Sequence, residues 1–108
     1  MDENIAPATV GAIGELRVCA DLLERGYEVF RALDQARHSC DLIALKGNLI
    51  LRIEVRSGNG IYAPTGYVSY SKNRSSRTHN RRIWHIEPDH YAVLWKGELQ
   101  RYDPPLPA

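Results

Sequence analysis

The strongest constraint on the fold lies between Ser39 and Gly58, where two strand-like runs meet at Gly47-Asn48. Leu49, Leu51, Ile53 and Val55 alternate with Ile50, Arg52, Glu54 and Arg56, the period-two pattern of a strand with one apolar and one polar face. Gly47 and Asn48 both tolerate positive φ, which suits a two-residue hairpin loop. If Lys46 and Leu49 close that loop, Asp41 falls directly opposite Glu54. Opposed side chains share a face with Cβ atoms roughly 5 Å apart, and Arg56, two residues on, shares it too. The hairpin therefore predicts two carboxylates and a cation on one side, with an apolar surface on the other. A one-residue change of register would send Asp41 to the apolar side.

Opposed carboxylates repel, so such a pairing needs compensation. A hard divalent cation supplies it, because Mg²⁺ takes carboxylate oxygens together with waters. Arg52 and Arg56 would supply it equally well as a surface charge network. The hairpin residues alone leave both readings open.

A helix is expected ahead of this hairpin, with Pro7 near its entry, Thr9 as N-cap and Gly26 as its C-terminal stop. At 100° per residue, Ala12, Ile13, Leu16, Cys19, Ala20, Leu22 and Leu23 form one apolar arc, with Arg17, Asp21, Glu24 and Arg25 opposite. Glu15 falls on the apolar side near Cys19 and Leu22. A carboxylate there is costly unless partnered; the alternative is that it sits at the edge of the arc and reaches solvent.

Tyr27 to Arg31 reads as a strand and residues 32–38 as a polar loop. Gly58-Asn59-Gly60 is expected to break the third strand, and Gly66 to Tyr70 to form a further short one. Tyr91 to Trp95 is apolar on both faces and so central to a sheet. It is joined to Glu98–Tyr102 by a hairpin about Lys96-Gly97, and Asp103-Pro104-Pro105 ends the fold. Cys19 and Cys40 have no metal-ligand spacing and read as small buried hydrophobes. His38, His79, His85 and His90 show no zinc-like grouping and read as surface or packing residues.

With 108 residues, 44% hydrophobic and 25% charged, the chain is expected to form one domain with one core. No apolar run approaches the ~20 residues that span a bilayer. The acidic start, Met1 to Ile5, has no leader-like pattern, so a cytoplasmic location is expected. The net charge of +1 hides an asymmetry: residues 1–41 hold eight acids against four arginines, a balance of −4, whereas residues 42–86 hold one acid against eight bases, a balance of +7. Most of that excess lies between Ser71 and Arg82, where Lys72, Arg74, Arg77, Arg81 and Arg82 stand without an acid. Such a run suits phosphate contacts, although a merely solvated loop would look the same. Tyr62, Tyr67 and Tyr70 precede it and could stack on bases or simply pack.

Taken together, Gly14-Glu15-Leu16, Glu24-Arg25-Gly26-Tyr27-Glu28-Val29, Ser39-Cys40-Asp41-Leu42-Ile43, Arg52-Ile53-Glu54-Val55-Arg56-Ser57-Gly58 and Pro88-Asp89-His90-Tyr91-Ala92-Val93 give the chain a likeness. In order and spacing it resembles the PD-(D/E)XK nuclease superfamily, in particular small bacterial and phage-type members related to group I intron homing endonucleases and archaeal Holliday-junction resolvases. The resemblance runs from about Gly11 to Tyr102. It implies an α/β fold with an αβββ(α)β core, residues 9–103 of a single domain, built on a central mixed sheet flanked by the N-terminal helix. It also implies that Asp41, Glu54 and the Val55 carbonyl bind Mg²⁺, with Mn²⁺ as a substitute, and that Glu15 completes the site directly or through water. Cys40 stands where proline often precedes the first aspartate, a tolerant position. Arg56 stands where the motif usually has lysine. Arginine brings charge and a two-pronged phosphate contact but cannot deprotonate in a protein.

The leading expectation is a metal-dependent DNA endonuclease with catalytic residues Glu15, Asp41, Glu54 and Arg56. Its substrate would be duplex or branched DNA, and it would act as a homodimer with the Trp84–Trp95 region as a possible interface. A nucleic-acid-binding module on the same fold that no longer cuts, because of Arg56, is the alternative. A protein-interaction domain without affinity for DNA is the third reading.

Overall fold

A computed structural model describes residues 2–33, 40–62, 67–71 and 87–108, the side chains of 59–62 excepted. One helix, α1 (Pro7–Glu24), is followed by β1 (Glu28–Arg31), β2 (Leu42–Lys46), β3 (Leu49–Tyr62), β4 (Val68–Tyr70), β5 (His90–Trp95) and β6 (Glu98–Asp103). The strands form one mixed sheet in the order β1-β2-β3-β5-β6, with β4 paired to β3 beside that path. Neighbours are antiparallel except β3 and β5, which run parallel. This is the expected α/β architecture. The bracketed second helix, Trp84, and the five basic residues Lys72, Arg74, Arg77, Arg81 and Arg82 fall outside the described residues.

The β2–β3 hairpin has the register that its sequence predicts, from Lys46↔Leu49 to Leu42↔Ile53. Only Gly47 uses positive φ, at 61°, the first loop position at which a type II′ turn places glycine. In the second hairpin both Lys96 (φ 50°) and Gly97 (φ 79°) take it, as a type I′ loop requires. Helix α1 ends in a complete Schellman motif: Gly26 (φ 90°) donates to the Leu23 carbonyl at 3.0 Å and Tyr27 donates to that of Leu22 at 3.0 Å. Leu22 and Tyr27 are both buried, so the apolar contact that accompanies this cap is present.

Three details differ from the sequence reading. The helix begins at Pro7 with Ala6 as N-cap, and Thr9 lies inside it, because proline at the first position brings a ready-made helical φ and needs no amide partner. Strand β3 does not stop at Gly58-Asn59-Gly60 but continues to Tyr62, with a register irregularity opposite β4. Gly58 is there for close approach: a Cβ would run into the Val68 side chain and lie 3.2 Å from the carbonyl oxygens of Leu94 and Ser69.

The third difference is the face that α1 buries. Gly14, Val18 and Leu22 face the sheet, while Leu16 and Leu23 are 56% and 58% exposed and Ala12 and Ala20 are exposed. Gly14 suits this rotation, since a Cβ there would meet the end of the Leu94 side chain, which would have to shift. The apolar arc of the sequence is thus turned largely outward. Asp21, expected on the solvent side, instead accepts a hydrogen bond from the Tyr102 hydroxyl at 2.6 Å.

Under α1 lies the main core, with Val18, Leu22, Leu42, Ala44, Leu51, Ile53, Ala92 and Leu94. Each fully buried aliphatic side chain there stabilises the fold by about 1.5–3 kcal/mol. On the other face of the sheet Val68, Tyr91 and Val93 pack with Tyr70 and Trp95. Strand β5 is buried from His90 to Leu94, as its two apolar faces predict. It is pinned to β3 by Asp89, which accepts from the Arg52 amide at 2.8 Å, receives the Arg52 guanidinium, and donates its own amide to the Arg52 carbonyl at 2.8 Å. The Arg52 contact holds the Asp89 carboxyl below its ordinary range. Among the described residues no helix is long and apolar enough to cross a membrane.

Gly58→Val is expected to destabilise the fold by about 1–3 kcal/mol through overpacking. The effect should appear as a lower urea midpoint with an unchanged slope, and an unaltered midpoint would mean that β4 does not press on β3 at this point.

Candidate active site

The site forms where the first three strands part. The β2–β3 ladder ends at Leu42↔Ile53, and Asp41 lies just beyond it, while β3 continues without β2, paired on its other edge with β5. The Ala32 amide still donates to the Asp41 carbonyl at 2.9 Å, so the backbone of Asp41 stays with β1 as β2 leaves β3. Its carboxylate accepts the Val55 N–H at 2.7 Å. In a strand the N–H and C=O of one residue point to the same edge, so the Val55 carbonyl is also directed to the side that β2 has vacated.

Two ion pairs flank Asp41. On the α1 side, the Glu15 side chain is only 14% exposed and accepts a hydrogen bond from Arg31 Nε at 2.8 Å. The rotation that seats Gly14 on the sheet also carries Glu15 inward, so this carboxylate flanks the buried face instead of reaching solvent. Glu54, 1% exposed and paired in register with Tyr91 on the parallel strand, receives the Arg56 guanidinium. A cleft of about 390 Å³ is lined by Gly11, Ala12, Glu15, Arg31, Asp41, Val55 and Arg56, with Ala8, Ser57 and Leu94 completing its wall.

Burial pushes the Asp41 carboxyl above its ordinary value. The Val55 hydrogen bond opposes that shift, Glu54 and Glu15 reinforce it, and Arg56 works against it. Asp41 is therefore within electrostatic reach of Glu15, Glu54 and Arg56. Burial also raises the thiol pKa values of Cys19 and Cys40; Cys40 is buried and Cys19 half-buried. Arg52, the other cation expected to balance the hairpin acids, is instead committed to Asp89. Tyr70 is tied to Asp103 by its hydroxyl, and Tyr67, 54% exposed, lies against the Arg101 guanidinium at 3.7 Å from the ring centre.

The acids offer only hard oxygen donors, the set that suits Mg²⁺. As they stand, their side chains turn to the two arginines and one amide. Among the described residues no three His, Cys, Asp or Glu side chains converge closely enough to hold an ion. The donor type fits a divalent cation; the present side-chain positions are those of acids partnered from within. The residue that sequence reasoning missed is Arg31. Its signal was its register: it pairs with Leu42, the residue after Asp41, but the loop between β1 and β2 hides that register until the fold is known.

No protein-family model and no curated protein matches the chain. Among solved structures it is similar to a bacterial homing endonuclease, I-Ssp6803I, with a TM-score of 0.60 and 22% identity over 82% of this chain. The chain spans 56% of the length of that protein. At this identity the likeness is one of fold.

Because the Asp41 carboxyl is raised in the folded state, the fold binds its proton more tightly than the unfolded chain does. Wild-type stability therefore falls as pH rises from the unfolded aspartate value, about 3.9, through the folded one, and the loss persists above both. Asp41→Asn keeps an acceptor for Val55 without the charge. It is expected to melt about 2–4 °C higher than wild type at pH 7 and no higher at pH 3. Thermal melts across that range check this, and an equal offset at both ends would mean that charge is not the cause.

Proposed function

We propose that the chain is a divalent-metal-dependent endonuclease of the PD-(D/E)XK type that hydrolyses phosphodiester bonds in duplex or branched DNA. The observation that carries this reading is the convergence of Glu15, Asp41, Val55 and Arg56 on one cleft, with Glu54 behind it, on a fold similar to that of a homing endonuclease. Asp41 would hold the ion from the end of β2, Glu54 and the Val55 carbonyl from β3, and Glu15 from α1. Mg²⁺, or Mn²⁺ in its place, supplies when bound a Lewis acid for a phosphoryl oxygen and an acidified water.

The chain's own residues do the rest. Arg56 offers a fixed guanidinium beside the cleft, suited to charge developing on a pentacovalent phosphate. It serves there as an electrostatic helper and not as a base. The run from Lys72 to Arg82 supplies phosphate contacts along the backbone of the substrate, and a homodimer places two such sites on two strands. The protein would work in the cytoplasm.

One observation favours a second reading, a nucleic-acid-binding module that does not cut: Arg56 replaces the usual lysine and is engaged with Glu54. The two readings separate in one assay of supercoiled plasmid and a four-way junction, with Mg²⁺, Mn²⁺ or EDTA. The expected result is metal-dependent nicking by wild type, lost by at least about 100-fold in Asp41→Ala and Glu54→Ala, as for removal of a group on which transition-state stabilisation depends. Cleavage by Arg56→Lys but not by wild type would identify a silenced nuclease that binds. The absence of cleavage by any variant, together with no gel shift at low salt, would sink both readings.

A further inference from the structure

We propose that Arg31 is a second phosphate-contacting residue of this site, held by Glu15 until a divalent cation displaces it. The inference rests on the nuclease reading and deepens it. Arg31 ends β1, next to the position where Asp41 leaves β2, and its Nε lies 2.8 Å from a Glu15 oxygen. The two partners are unequally placed. Glu15 is 14% exposed on a packed helix, whereas the Arg31 side chain is 53% exposed on an edge strand. The carboxylate is therefore fixed and the guanidinium is the partner free to move.

An ion held by Glu15 must replace Arg31 as its counter-charge. Once replaced, the guanidinium remains in the same cleft as Arg56, with its donor fork open to solvent. A phosphate is the group such a fork recognises, often through two parallel hydrogen bonds. Arg56 is less free to do this, being 23% exposed and engaged with a buried carboxylate. Arg31 thus opposes the cation in the free protein and assists the substrate in the loaded one. It lies outside the four catalytic candidates read from sequence, and binding measurements test it directly.

Mn²⁺ affinity is measured by calorimetry without DNA for wild type, Arg31→Ala, Arg31→Lys and Asp41→Ala. DNA affinity is then measured by fluorescence polarisation in Ca²⁺ over a salt series. Arg31→Ala is expected to bind Mn²⁺ about 3–10-fold more tightly than wild type, because a competing cation worth roughly one partly exposed ion pair is gone. The same variant should bind DNA more weakly, with a salt slope smaller by about one phosphate contact. Arg31→Lys, which keeps the charge without the fork, should fall between the two in both assays. A merely structural arginine would leave Mn²⁺ affinity unchanged or lower when removed, and that result overturns the proposal. If wild type binds Mn²⁺, Asp41→Ala does not, and Arg31→Ala matches wild type, only the role of Arg31 fails. If neither wild type nor Arg31→Ala binds Mn²⁺ at millimolar concentration, the metal site and this proposal fail together.

Discussion

Everything near the cleft depends on the register of the β2–β3 hairpin. Side chains alternate with a period of two, so a slip of one residue would exchange every inward and outward group on that strand. The tight loop at Gly47 and the pairing of Leu42 and Ala44 with Ile53 and Leu51 hold the register from both ends. The ladder stops at Leu42↔Ile53, which is what makes a site possible. Two residues beyond Ile53, the amide of Val55 has no β2 partner on that side, and the Asp41 carboxylate takes the place of one. A candidate metal-binding acid is thus installed as a substitute backbone acceptor.

Register alone would leave this acid open to solvent on the α1 side. A contact with no side chain on one of its two partners lies there: Gly14 rests against Leu94, and a Cβ in between would require the Leu94 side chain to shift. This contact sets the rotation of α1, which in turn places Glu15 at the cleft. The same rotation exposes Leu16 and Leu23. Burying them would have carried Glu15 away from β1 and from Arg31. On this helix the position of one carboxylate takes precedence over burial of two leucines, a loss of roughly 1.5–3 kcal/mol for each fully buried side chain of that kind.

The hairpins, the glycine stop after α1 and the central place of β5 could be read from the sequence because each rests on local chemistry: period-two alternation, positive-φ loop residues, or an apolar run with no polar face. The orientation of α1 could not. A hydrophobic projection scores what a side chain brings, and Gly14 acts through what it lacks. The length of β3 was missed for the same reason, since Gly58 looks like a breaker until Val68 lies across it. Of the candidate site, Asp41 and Glu54 were visible as an awkward pair and Glu15 as an awkward helix residue. Arg31 was not visible, because its place depends on the pairing of β1 with β2 across a loop of unpatterned sequence.

Arginine at position 56 makes sense in light of its partner. Glu54 is 1% exposed, and a carboxylate in such a place is costly without a counter-charge beside it. A lysine can answer by losing its own proton, because an ammonium shifts its pKa readily when desolvated, whereas a guanidinium keeps its charge. With arginine the counter-charge is there whether or not another cation is near. The acid that would hold an ion is therefore neutralised in advance, as Glu15 is by Arg31. Two acids of the three carry internal cations, and the third, Asp41, leans on an amide and is pushed toward protonation. A site built this way does not depend on metal for its fold. On the proposed reading, an incoming ion would have to displace arginines from Glu15 and Glu54, and its affinity would be set by how easily each arginine leaves. The exposed one, Arg31, would be the one to turn toward a substrate phosphate; the half-buried one, Arg56, would leave a buried carboxylate without its partner. On that reading, removing Arg56 would disturb stability and chemistry together, whereas removing Arg31 would act mainly on the competition for Glu15.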